Sequence, residues 1–196
     1  DLAVFDDLRT LNVKQVYKGG KLVAENGKML HQKEKNTDWS TEIKERVFHS
    51  FHRVPITVEE LQLKETTGTH QRVIDMVAHE LITKERIEEW KELPGVAPGV
   101  DISRDIVKLA AIERHKNTGH VGLGFLGKYG LKKGAVATSI GHDSHNLVIA
   151  GVTDEDMVLA GNRVIENGGG LAIALEGKVL ADLPLPIGGL MADEPV

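Results

Sequence analysis

Residues 146–183, NLVIAGVTDEDMVLAGNRVIENGGGLAIALEGKVLADL, carry the plan of the chain. The opening NLVIAGV (146–152) is a short apolar run, the length of a buried strand rather than a helix. Thr153 is a good N-cap, and Asp154, Glu155 and Asp156 place negative charge in the first turn, where the helix dipole favours it. Met157, Leu159, Ala160, Val164 and Ile165 supply an apolar stripe, and Gly168-Gly169-Gly170 stops the helix. LAIAL (171–175) and KVLADL (178–183) then read as a hairpin across Glu176-Gly177. Strand, helix and hairpin in fewer than forty residues predict an α/β domain built on a mixed sheet. Working outward, GAVATSI (134–140), DIVKLAAIE (105–113) and VIDMV (73–77) add strands. Lys84 to Leu93, with Ile87 and Trp90 at helical spacing, reads as a helix. LPGVAPGVD (93–101) reads as a loop.

The first thirty residues have a different texture. LAVF (2–5) is strand-like, Lys18-Gly19-Gly20-Lys21 is a hairpin turn between apolar runs, and Asn26-Gly27 repeats the signal. A β unit this small buries no core alone, so it reads as part of a larger sheet. Residues 31–66 are charged and weakly patterned. Ile43, Val47 and Phe51 fit one helical face, while Val47, His49 and Phe51 also alternate like a strand. The expected organisation is a β remnant at 1–30, a linker at 31–66 and an α/β domain at 67–196. The start at Asp1 and the finish at LMADEPV both suggest a piece of a longer protein.

Composition removes several classes of function. The 196 residues hold no cysteine, which excludes disulfides, thiolate nucleophiles and every cysteine-ligated zinc site. A net charge of -5 offers no basic face for nucleic acid. No apolar run reaches membrane-spanning length and no signal peptide is visible, so a cytoplasmic protein without membrane contact is expected. Aromatics are only 4%, so the core must rest on Val, Ile, Leu and Ala.

Three motifs carry possible chemistry. GHDSHN (141–146) sets His142, Asp143, Ser144, His145 and Asn146 side by side. Adjacent residues cannot easily form the hydrogen-bonded chain of a nucleophile triad. A catalytic metal typically needs three protein ligands, and no second cluster presents itself. An Asx-type turn between two strands explains the aspartate, serine and asparagine but not the two histidines. ERHKNTGH (113–120) follows a strand and offers Arg114, His115 and His120, either as a binding loop or as a solvated one. GLGFLG (122–127) matches a dinucleotide fingerprint, yet GKYGLKKG follows in place of the helix that must hold the pyrophosphate. A tightly turned glycine loop over 119–130 is the expectation there.

The words ERHK (113–116), GHDSHN (141–146) and PLPIGGLM (184–191) are those of one family. With RVIDMV (72–77) upstream of them, the second part of the chain resembles the C-terminal domain of bacterial adenine deaminase, in the amidohydrolase superfamily. DLAVFDDLRTLNVKQVYKGGKLVAENGK (1–28) resembles the last strands of that family's composite β-sandwich. The resemblance implies hydrolysis of adenine to hypoxanthine and ammonia, with metal-activated water attacking C6 and an acidic residue moving protons. It places a binuclear divalent centre, manganese or iron, in a (β/α)8 barrel upstream. No metal, no cofactor and no catalytic barrel are therefore expected within these residues, and this part alone should be inactive. The implied partners are adenine, the upstream barrel and further copies in a homo-oligomer. His142, Asp143, Ser144, His145 and Asn146 then become candidates to meet the purine or to orient water, with Arg114, His115 and His120 as weaker ones. The alternative is a non-catalytic module for oligomerisation or purine binding.

Overall fold

The computed structural model describes residues 1–7, 9–30, 39–63 and 68–193. Residues 31–38 and 64–66 of the expected linker lie outside the described set. The chain forms two compact units, Asp1–Ser40 and Thr41–Val196.

The first unit is an antiparallel meander of β1 (Leu2–Phe5), β2 (Val13–Lys18), β3 (Lys21–Glu25) and β4 (Lys28–Met29), in that spatial order. Gly19 and Gly20 turn at φ 54° and 76°, as the hairpin between β2 and β3 requires.

The second unit opens with α1 (Thr41–Phe48), which resolves the ambiguity of that stretch in favour of a helix. Its sheet strands are β5 (His70–Met76), β6 (Thr83–Glu89), β7 (Ile106–Ile112), β8 (Val121–Gly127), β9 (Ala135–Thr138) and β10 (Leu147–Gly151). After α2 (Asp154–Glu166) come β11 (Gly170–Leu175) and β12 (Lys178–Pro184). The spatial order is β12-β11-β9-β10-β7-β8-β5-β6. The β5–β8 pairing is parallel and the others are antiparallel, which gives the mixed sheet.

Two expectations are corrected. The helix expected over 84–93 is strand β6. Its TKERIEE text alternates once it is paired with β5, and that pairing sets Arg86 Nε 3.0 Å from both oxygens of the buried Asp75. Two apolar residues at helical spacing were too little to outweigh this pairing. Trp90 instead packs edge-on against Phe125, ring centroids 5.7 Å apart. The glycine loop expected over 119–130 is largely strand β8. Glycines at 122 and 124 alternate with Leu123 and Phe125, so the period of two is present but written in a residue usually read as a turn.

One face of the sheet is closed by α2. Ala110, Ile112, Ala135, Leu147, Ile149 and Ala172 point there and pack with Met157, Ala160 and Val164. Ile56 and Leu61, within the stretch expected to be a linker, belong to the same core. The opposite face is different. One row across it runs Leu183, Leu171, Thr138, Val148, Ala111, Gly122. The next runs Ala181, Ile173, Val136, Ala150, Leu109, Gly124. Residues 96–102 cover that face at its Val107 end, while Ile173 and Leu183 stay 43% and 52% exposed.

Candidate functional site

The loops 113–120, between β7 and β8, and 139–146, between β9 and β10, lie at the same end of the sheet, because Ile112 at the end of β7 pairs with Leu147 at the start of β10. Chain leaving β12 returns to that end through PLPIGGLM. Arg114 joins all three. Its side chain is fully buried at 1% exposure. Nε donates to the His145 carbonyl at 2.5 Å, Nη2 to the Gly188 carbonyl at 3.0 Å and Nη1 to the Ser50 carbonyl at 3.5 Å. The guanidinium also lies 4.9 Å from the Phe51 ring centroid, a cation–π distance. Among the described residues no carboxylate pairs with it. Burial, with no opposing charge, pushes its pKa below the ordinary arginine value. It still stays charged, so its compensation is a set of carbonyl dipoles.

The rest of the end is fitted around this group. A Cβ on Gly189 would come within 2.8 Å of the Arg114 guanidinium. Ser139 Oγ, fully buried, donates to the Gly189 carbonyl at 2.5 Å and accepts from Gly170 N at 2.7 Å. Gly170 sits at φ 129°, with a Cβ position 2.0 Å from the Leu183 carbonyl, so only glycine lets β12 pass there. Glu113 folds its own loop. Its carboxylate accepts from the backbone N–H of Thr118 (3.0 Å), Lys116 (2.8 Å) and His115 (2.6 Å), and from the Thr118 hydroxyl. These donors, Thr118 N–H foremost, lower its pKa to about 2.

The GHDSHN turn is held from beneath and open above. His145 N–H bonds the Gly141 carbonyl at 2.5 Å, and His145 takes a left-handed φ of 48°. His115 Nε2 donates to the Ser144 carbonyl at 2.8 Å. His142 and Asp143 project into solvent, 89% and 87% exposed, with Nδ1 and Oδ1 2.6 Å apart. His142 and His145 have ring centroids 6.5 Å apart. His145 Nδ1, Asn146 Oδ1 and Ser50 Oγ are buried without a hydrogen-bond partner among the described residues. The structure thus brings together His142, Asp143, Ser144, His145, Asn146, Arg114 and His115. Among the described residues, the exposed His120 makes its hydrogen bonds through its backbone. Sequence reading missed Ser50, Phe51 and Ser139. The only signal for the last was a hydroxyl at the end of an apolar strand.

Among the described residues, no three His, Asp or Glu side chains gather to hold a metal ion. These residues do not fit the divalent centre that the resemblance implies. GLGFLG opens no helix and forms no phosphate cradle. Its third glycine, Gly127, leaves room for Asp75, whose Oδ1 would lie 2.1 Å from a Cβ there.

The family model of the adenine deaminase C-terminal domain matches residues 80–196. The chain belongs to that family. Proteins similar to it along its whole length include the adenine deaminase of Lysinibacillus sphaericus, 41% identical over 196 residues, and adenine deaminase 1 of Carboxydothermus hydrogenoformans, 41% identical over 196 residues. The first match covers 100% of this chain and 32% of the relative, the second 99% and 31%. The chain thus spans about a third of the length of the adenine deaminases it matches. The buried Arg114 and the polar turn above it are features of an adenine deaminase C-terminal domain.

Proposed function

We propose that this chain is the carboxy-terminal part of an adenine deaminase, which converts adenine and water to hypoxanthine and ammonia, and that its 141–146 turn forms one wall of the active site. Residues 1–30 contribute the last strands of a sandwich completed by upstream chain. The divalent metal, manganese or iron, falls to the upstream barrel that the family resemblance implies. The same reading makes the enzyme a cytoplasmic homo-oligomer.

The observation that carries the role of the turn is its construction. A buried arginine, a histidine and a neighbouring loop fix the backbone of a turn whose outer side chains, His142 and Asp143, are almost fully exposed and pair with each other. An exposed ion pair contributes little to folding, so rigid support beneath it points to use by something outside. A histidine pair, a carboxylate and an amide offer the donors and acceptors that a purine edge presents in complement. In the full-length enzyme, Asp143→Ala and His145→Ala should each lower turnover by about 10²-fold or more, the scale of a lost acid–base or orienting group, with bound metal unchanged. Wild-type kinetics in both variants would refute the role of the turn.

A further inference from the structure

The open sheet face is built to be covered. Antiparallel sheets with one wet face alternate apolar and polar residues. Here both rows across six strands lack any charge, and Thr138 is their only polar side chain. Gly122 and Gly124 sharpen the point. Neither has a positive φ, so no turn demands glycine. A Cβ on Gly124 would meet nothing within 4 Å, and one on Gly122 would meet only the Ala111 carbonyl at 3.8 Å. Glycine inside a strand weakens it unless another backbone must approach closely. Among the described residues of Thr41–Val196, residues 96–102 pack on Leu109 and Ala150 of the second row, and no backbone from outside the sheet comes close to Gly122 or Gly124.

We propose that this face, centred on Gly122, Gly124, Ala111 and Val148, is the docking surface for the domain that precedes it in the full-length enzyme. Two observations select that occupant. The chain spans about a third of its relatives' length and its family is a C-terminal domain, so the missing bulk lies on its amino-terminal side. The first row of the face also ends directly beneath the 113–120 and 139–146 loops, so a body seated on it reaches the GHDSHN turn. The width and lack of charge fit a permanent contact rather than a transient one. The inference rests on the proposed adenine deaminase parent but not on the catalytic role of the turn.

The absence of cysteine from these residues supplies a clean probe. Ala111→Cys, at an exposed position, should react freely with a maleimide in the 196-residue chain. In a full-length enzyme carrying this domain, labelling of the same peptide should slow by at least about tenfold, because thiol reactivity follows access. Gly124→Val gives a second reading of opposite sign in the two contexts. In the 196-residue chain the melting temperature stays level or rises, since a β-branched residue enters a strand facing open space. In the full-length enzyme it falls, as the new side chain holds the domains apart. Equal labelling and equal melting shifts in both contexts would overturn the proposal. So would concentration-dependent protection of Cys-labelled chain on its own, which would assign the face to a second copy. If Asp143→Ala and His145→Ala keep full turnover while the labelling contrast holds, docking stands and the role of the turn falls.

Discussion

Arg114 is the residue on which the candidate site depends. A buried guanidinium is costly to desolvate, and three backbone carbonyls with the face of Phe51 offset that cost. Each carbonyl belongs to a different segment, so one side chain sets the positions of residues 50, 145 and 188. Arg114→Met keeps much of the volume and removes every donor. It should destabilise the 196-residue chain by about 2–4 kcal/mol in urea unfolding, the cost of carbonyls left unpaired in a buried place. Arg114→Lys should recover only part of that, since a single ammonium cannot span the fork. The sequence displayed Arg114 only as one member of a polar loop. Its rank became visible from the partners, which lie from 31 to 74 residues away, beyond the reach of any local pattern.

Among the elements, the 113–120 loop and α2 show how one carboxylate can organise a segment. Glu113 has its pKa lowered from 4.5 to about 2 by the N–H groups of its own loop, first that of Thr118. A lowered folded pKa means a contribution that is complete above the ordinary carboxylate range and lost as the pH falls. The amide resonances of His115, Lys116 and Thr118 should therefore move together with a midpoint at about pH 2, and Glu113→Gln should abolish that transition. In α2 the acidic first turn did what the sequence suggested and more. Thr153 Oγ1 caps Asp156 N–H. Asp154 takes the fully buried Lys108 ammonium at 2.7 Å, and Asp156 accepts from Glu176 and Gly177 N–H at the β11–β12 turn. Strands with a plain apolar period, and the capped helix, were legible in the sequence because neighbouring residues determine them. Strand β6 was not legible, because its alternation is of charges that acquire meaning only against Asp75 and the rest of β5. Strand β8 was masked by glycines whose reason lies on the outer face.

For the whole molecule, the proposed reading, in which the chain is about a third of an adenine deaminase, makes it a support for chemistry carried elsewhere. Adenine added to the 196-residue chain should neither raise its melting temperature nor release measurable heat on titration, since ligand bound to the folded state would do both. Heat of binding would instead favour a purine-binding module.

The β5–β8 pairing has a consequence of another kind. Hairpins β5–β6, β7–β8, β9–β10 and β11–β12 each close over a short span of chain. The parallel junction of Ile74 with Leu126 and Asp75 with Gly127 joins positions 52 residues apart. Loop-closure entropy must be overcome before that contact returns anything, so among the strand pairings of this sheet the β5–β8 junction, and with it the β5–β6 hairpin, forms last. It carries the sheet's most charged edge strand, with Lys84, Glu85, Arg86, Glu88 and Glu89 in seven residues. While the junction is unmade, that charge discourages the hairpin from pairing with a neighbouring chain. A newly made sheet thus waits for its slowest strand pairing with its most charged edge outward.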